Sequence, residues 1–180
     1  IITRSEVTLT PDPEFLGTPF PKFELGINNG ITLFDWLRVS GQLDYKSGMR
    51  QYNSTAYFRC LLVSNCPGIY DPATPLEEQA GIQAARLDDP SSAGFIEDAS
   101  FLKLRELAFT ISAPQSLVQR FAEGLSLTIA GRNLKTWTDY SGLDPEGNAR
   151  TYLTQGNFET MDFLTMPAVR YWTARLNVNF

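Results

Sequence analysis

PAVRYWTARLNVNF, residues 167–180, sorts its side chains onto two faces. Counting back from Phe180 by twos gives Val178, Leu176, Ala174 and Trp172, whereas Asn179, Asn177, Arg175, Thr173 and Tyr171 fall between them. Side chains alternate across a strand, so this is a period-two β-strand with one apolar and one polar face. A half-buried strand of a soluble sandwich and a strand of a membrane barrel share that pattern. The rest of the chain decides between them.

The alternation recurs upstream. In residues 22–34, Phe23, Leu25, Ile27, Ile31 and Leu33 share a face with Asn29, against Glu24, Gly26, Asn28, Gly30 and Thr32. Asp35-Trp36 makes a tight connection, after which Leu37, Val39, Gly41, Leu43 and Tyr45 oppose Arg38, Ser40, Gln42, Asp44 and Lys46. Two such runs joined so closely read as a hairpin. Residues 99–112 form the next strand with a change of phase. Leu102 and Leu104 fall out of step with Leu107, Phe109 and Ile111, and a bulge near Arg105-Glu106 accounts for it. In residues 125–137, Leu125, Leu127 and Ile129 point outward and Ser126, Thr128 and Ala130 inward. Five strands are thus expected, at 22–34, 37–47, 99–112, 125–137 and 167–180, as an all-β, antiparallel up-and-down meander with neighbours in chain order. A weaker alternation over residues 1–10 reads as a ragged strand, ended by Pro11, Pro13, Gly17, Pro19 and Pro21.

Connection lengths carry the next step. Residues 48–98 interrupt the alternation far beyond the usual connection of about 4 to 6 residues, and loops of that length are normally functional. A short helix from Pro75 to about Leu87 is expected inside it, because Thr74-Pro75-Leu76-Glu77 has capping-box spacing with Pro at the first helical position. Residues 114–123 read as another short helix, with Leu117, Val118 and Phe121 on one side and Gly124 as the stop. A polar, Gly-rich loop spans 138–166. In an up-and-down chain, the long segments 11–21, 48–98 and 138–166 fall at one end. Asp35-Trp36 and residues 113–124 fall at the other. Long loops at one end and short turns at the other mark an outer-membrane barrel, whereas a sandwich spaces its turns more evenly. Five strands are too few, since the smallest such barrels have about eight. An open sheet edge cannot face lipid. Residues 1–180 are therefore expected to be the carboxy-terminal part of a larger transmembrane β-barrel, with short helices in its connections. An opening at Ile1 without Met fits a fragment or processed piece.

Composition narrows the function. The 180 residues are 43% hydrophobic, with net charge −5 and a pI near 4.8, and lack the basic face that phosphate neutralisation requires. Nucleic acid is not an expected partner. No apolar run reaches the roughly 18 to 20 residues of a membrane helix, but barrel strands need only about 9 to 11 with every second residue apolar. The chain has no His, which removes the usual base for a nucleophilic Ser and, with only two Cys, argues against a zinc site. Asp139, Asp144 and Glu146 lie close together, but around Gly142 and Pro145 they read as a solvated turn, with too few regularly spaced oxygens for calcium. Neither catalysis nor a cofactor is expected. Cys60 and Cys66 in CLLVSNC are either a local disulfide or two unrelated thiols.

Two segments carry a family resemblance. Residues 95–107, FIEDASFLKLREL, resemble the "EDAS-aromatic-L-R/K-L-R" segment of the SusC/RagA family, the TonB-linked outer-membrane transporters of Bacteroidetes-like bacteria. Residues 131–146, GRNLKTWTDYSGLDPE, are similar to that family's "G-x-N-L-x-T-W-T-x-Y-x-G-x-D-P-E" segment, and Pro167, Arg170 and the final Phe180 look like its closing strand. The resemblance runs from about Pro21 to the end and is weakest over 48–94. It implies a barrel of about 22 strands in the outer membrane, with the plug, the TonB-binding segment and earlier strands outside this chain. It also implies a SusD-like surface lipoprotein capping the barrel, and uptake of oligosaccharides or peptides driven by the TonB complex. In that setting the 48–98 loop is extracellular, and Cys60 and Cys66 are expected to pair. Trp137 and Tyr140 are expected in the interfacial aromatic girdle. In the alternative, a soluble secreted β-sandwich that binds carbohydrate, they would be sugar-stacking platforms. Trp172, Leu176, Val178 and Phe180 supply the alternating, aromatic-ended pattern that barrel assembly machinery reads. The motifs are structural, so they carry over no substrate contact.

Overall fold

A computed structural model describes residues 1–148 and 161–180, so residues 149–160 of the expected 138–166 loop lie outside the described residues. The chain runs β1 (Phe23–Leu33), β2 (Leu37–Ser47), β3 (Arg50–Asn53), α1 (Ser54–Leu61), α2 (Pro67–Tyr70), α3 (Leu76–Ala84), β4 (Ile96–Asp98), β5 (Phe101–Ser112), α4 (Gln115–Val118), β6 (Gly124–Thr138), β7 (Met161–Asp162) and β8 (Tyr171–Asn179). It divides into a sheet unit, Phe23–Lys46, Phe101–Thr138 and Ala168–Phe180, and a loop unit, Ile1–Lys22, Ser47–Ser100 and Asp139–Pro167.

The sheet unit is the expected meander, five strands in the order β1-β2-β5-β6-β8. Its short connections share one end: the turn at Phe34, Asp35 and Trp36, and residues 113–123 between Ser112 and Gly124. Phe34 and Asp35 turn the chain at φ of 53° and 60°, and the Phe34 ring stacks on Trp36 at 6.2 Å. The opposite end, with Tyr45 opposite Leu102 and Leu102 opposite Trp137, is where the chain leaves and re-enters the sheet in its long excursions.

Opposed residues of an antiparallel pair share a face, so the register places the paired side chains of β2, β5, β6 and β8. Leu37, Val39, Leu43 and Tyr45 lie opposite Ile111, Phe109, Leu104 and Leu102, and Phe109 and Ile111 lie opposite Ile129 and Leu127. Leu127, Ile129 and Leu125 in turn face Leu176, Ala174 and Val178. One continuous apolar face results. The bulge makes this possible: against β2, Arg105 is the extra residue between Leu104 opposite Leu43 and Glu106 opposite Gln42. A second irregularity answers it in β6, where Lys135 opposes Leu104 and Arg132 opposes Glu106. Between them Asn133 takes φ 52°, a left-handed conformation that Asn tolerates. Without these insertions Leu102 and Leu104 would emerge on the polar side.

The loop unit departs furthest from the sequence reading. Residues 48–98 hold two strands and three helices rather than one helix, and β4-β3-β7 form a second, three-stranded sheet in which β3 pairs antiparallel to β4 and parallel to β7. Its apolar core gathers Cys60, Cys66, Ile82, Ala85 and Phe95, with Tyr52, Tyr57 and Ile69 packed around them. The turn Ala93–Phe95 rests on α3 by direct backbone contact. A Cβ on Gly94 would lie 2.4 Å from the Cα of Gly81, so both positions require glycine.

Four local expectations are corrected. Residues 1–10 contain a single 3-10 turn, Arg4–Glu6, not a strand, because the Glu6 carboxylate accepts from Thr3 N and Oγ1 and closes the chain on itself. The expected 75–87 helix is Leu76–Ala84: Pro75 is its cap position, Thr74 offers no side-chain cap, and the carbonyl of Thr74 instead accepts from Gln79. Its end loosens into tighter turns, with Arg86 N bonding Gln83 O and Leu87 N bonding Ala84 O. The expected 114–123 helix shrinks to the single turn Gln115–Val118, since Gly124 is not a helix stop but the first residue of β6, opposite Asn179. The closing strand is Tyr171–Asn179, shorter than 167–180.

Candidate functional site

Two surfaces have functional geometry: the two-faced sheet, and a buried polar clamp in the loop unit. On the sheet's apolar side Phe23, Leu25, Ile27, Ile31, Phe109, Ile129 and Leu176 are all exposed. An apolar face this continuous exceeds what a water-facing monomer surface usually shows. It is also not the covered inner face of a sandwich, where such residues would be buried. Trp137 lies on this face opposite Leu102, half exposed, and Trp172 lies on it opposite Gly131. A Cβ at Gly131 would come within 2.8 Å of the Trp172 ring, so glycine makes room for the indole.

The other side is a polar ladder. Lys46 pairs with Glu24 at 3.6 Å, Arg105 with Asp44 at 2.7 Å and Arg132 with Glu106 at 2.6 Å, and Arg132 also reaches the Tyr171 hydroxyl. Thr110 and Thr128 share a hydroxyl hydrogen bond of 2.9 Å, and Asn177 donates to Ser126. Arg175 is opposite Thr128 and Thr173 opposite Ala130, on this polar side. Val178, Leu176 and Trp172 are on the apolar side; Phe180 follows β8 and is 89% exposed.

In the loop unit the two motif segments meet. Glu97 accepts from Ser141 N at 2.9 Å, from Ser141 Oγ at 2.8 Å and from Asn53 Nδ2 at 3.0 Å. Asn53 is 2% exposed; it also donates to Ser141 Oγ, and its Oδ1 accepts from Ala56 N, capping α1. Beside it Asp162 is buried, accepting from the Tyr140 hydroxyl at 3.1 Å, from Thr55 Oγ1 at 3.3 Å and from Thr165 Oγ1. Three donors compensate a carboxylate that burial would otherwise make costly. Burial first, and the neighbouring Asp162 charge second, hold the Tyr140 phenol well above its ordinary pKa. Gly142 permits the approach, since a Cβ there would sit 2.6 Å from Asp162 Oδ2. Hydrogen bonds from Ser100, the side-chain hydroxyl foremost, lower the Asp98 pKa.

Tyr140 is therefore not an interfacial aromatic. It is 5% exposed, because its hydroxyl is spent on Asp162 inside the loop unit. Cys60 and Cys66 are joined by a disulfide with Cα atoms 5.1 Å apart, in the apolar core. Asp144 is absorbed in its own turn, accepting from Glu146 N. Sequence reasoning missed Asn53 and Asp162. Glu97 lies 44 residues from Asn53 and Thr55 lies 107 from Asp162, and no local pattern announces such pairing.

The TonB-dependent receptor P3 of Formosa agariphila is 28% identical over 186 aligned residues, covering 95% of this chain and 18% of that protein. The chain is TonB-receptor-like along nearly its whole length. TonB-dependent receptor P26 of the same organism is 25% identical over 95% of the chain. Among solved structures, the RagAB peptide importer matches in its closed-closed state with a TM-score of 0.68 at 22% identity, covering 91% of this chain and 18% of that one. Its open-open state matches with a TM-score of 0.62 at 21% identity and the same coverage. The five-stranded meander with its small loop unit is thus a fold shared with the RagAB structures. The chain spans about 18% of the length of the curated relatives it matches. No protein-family model matches the sequence.

Proposed function

We propose that residues 1–180 are the carboxy-terminal part of the barrel of a SusC/RagA-type, TonB-dependent outer-membrane transporter. The observation that carries this reading is the division of one meander into a continuous exposed apolar face and a hydrogen-bonded polar face. Lipid selects such a division and a barrel lumen completes it. Among the described residues the outer strands β1 and β8 each pair on one side only, and in lipid their other edges need neighbouring strands of the same barrel. The apolar face then contacts outer-membrane lipid.

The whole protein imports a nutrient by this reading, peptide or oligosaccharide, with a SusD-like surface lipoprotein over the mouth and the TonB complex supplying energy through the amino-terminal region. The relatives support it: they are TonB-dependent receptors, and the RagAB structures are of a peptide importer. Single cysteines placed in the full-length protein, carrying a bimane fluorophore and reconstituted with brominated lipid, test the orientation. Quenching at Leu127 and Leu176 with none at Thr128 and Asn177 is expected. Quenching on the polar face, or on neither, would reject the assignment.

A further inference from the structure

The polar face has one row that its own carboxylates leave out. The five strands carry Glu24, Asp44 and Glu106, and each is held by a different cation, Lys46, Arg105 or Arg132. Next to these pairs the register sets Arg38 opposite Thr110, Thr110 opposite Thr128 and Thr128 opposite Arg175. Across four adjacent strands the row therefore reads Arg-Thr-Thr-Arg. Its centre is the hydroxyl pair Thr110–Thr128 at 2.9 Å, and neither flanking guanidinium has a carboxylate partner among the described residues. On one side of it runs a row of small residues, Ser40, Ala108, Ala130 and Thr173. Arg38 is accommodated by a missing side chain: a Cβ at Gly30 would lie 2.8 Å from its Nη2.

We propose that this row is a carboxylate-binding station on the lumen wall, so that the solute the barrel passes is anionic; this rests on the transporter reading above. Three facts fix the ligand class. A guanidinium binds a carboxylate through two parallel N–H donors. The two hydroxyls between the arginines can each turn a hydrogen toward an oxygen. Two cations without counter-charges in a low-dielectric wall raise the local concentration of anions, as rings of Arg and Lys do in anion pores. A neutral solute would find no use for the surplus charge, and a cationic one would be repelled.

The test uses the full-length protein purified in detergent, with dansyl-Gly-Glu-Glu and its neutral counterpart dansyl-Gly-Gln-Gln as probes, titrated by fluorescence anisotropy. The wild type is expected to bind the acidic peptide at least about ten-fold more tightly. The double variant Arg38→Gln/Arg175→Gln should erase that preference, while Arg38→Lys/Arg175→Lys retains part of it. Equal affinities in the wild type, an undiminished preference in the double Gln variant, or no binding of either peptide would overturn the proposal. So would a fourth pattern. If the double Gln variant melts many degrees lower and the wild type ignores the acidic peptide, an acidic side chain elsewhere in the protein fills the row. The bimane measurement at Thr128 separates the two readings: lipid quenching there defeats the transporter assignment, whereas no quenching together with no charge preference defeats only the station.

Discussion

Tyr140 shows how much a single side chain decides. Its hydroxyl ties the 139–147 segment to the buried Asp162, and Asp162 is paired in register with Asn53, whose amide ties Glu97 and Ser141 together. Tyr140→Phe keeps the ring and removes one donor to a buried carboxylate, a change that costs about 1.5 to 3 kcal/mol of local stability. Faster amide hydrogen exchange across residues 139–147 in the full-length protein is the expected sign. The pH dependence follows from the direction of the shift. With the folded pKa raised above the ordinary 10.0, both states are protonated below that value and the contribution is fully present. As pH rises through about 10, the unfolded phenol ionises while the buried one stays neutral, and stability falls. Exchange measured at pH 8 and pH 10.5, corrected for intrinsic rates, should show the loss in the wild type and a smaller one in Tyr140→Phe. Cys60 and Cys66 act at the same scale. Their bridge closes a short loop, for which the chain-entropy argument gives about 2 kcal/mol. Both residues should resist thiol labelling in the native protein, and Cys60→Ser/Cys66→Ser should loosen α1 against Phe95. Labelling of both thiols without reductant would contradict the bridge.

Arg105 is the element-scale counterpart, because one inserted residue keeps a twelve-residue strand in phase with both neighbours. Deleting Arg105 should turn Leu102 and Leu104 toward the polar side and sharply reduce the fraction of folded, heat-modifiable barrel in the outer membrane. Arg105→Ala keeps the bulge while losing the ion pair to Asp44 and the cation over the Phe101 ring, and should assemble well. Equal assembly of the two variants would mean that the insertion does not set the register. This bulge was legible in the sequence, as were the five long strands, because a period of two sustained over nine to fifteen residues leaves little ambiguity. The loop unit was not. Its strands have two to four residues, too few to show a period, and β3 pairs with β7 across more than a hundred positions. The α3 start misled for a different reason: Thr74-Pro75-Leu76-Glu77 has the spacing of a capping box, yet Pro75 takes the cap position and the Thr74 carbonyl accepts from Gln79, five residues on. Tyr140 was misplaced because a tyrosine three residues after a strand-rim tryptophan looks interfacial until its distant partner is known.

At the scale of the whole molecule, both faces of β8 must be right for the barrel to close and insert. Register sets Leu176 opposite Leu127 on the apolar face and Asn177 opposite Ser126 on the polar one. An arginine on a lipid face near mid-membrane costs about 2 to 4 kcal/mol, whereas the polar face already carries Arg175. Leu176→Arg in the full-length protein should therefore lower the amount of folded barrel far more than Asn177→Arg. Phe180 tests a different property. It is almost fully exposed among the described residues, so a structural role within this sheet predicts little effect. We propose instead that Phe180, with Val178, Leu176 and Trp172, forms the pattern recognised during assembly. In that case Phe180→Ala should slow the appearance of folded barrel in pulse-chase experiments, leaving the denaturant midpoint of the barrel that does fold unchanged. Asn179→Ser, on the same strand but the other face, should alter neither quantity. Matching assembly kinetics for Phe180→Ala and Asn179→Ser would remove the recognition role while leaving the lipid-facing assignment of Leu176 untouched. A fall in the denaturant midpoint of Phe180→Ala would convert the role into one of packing against a neighbouring strand.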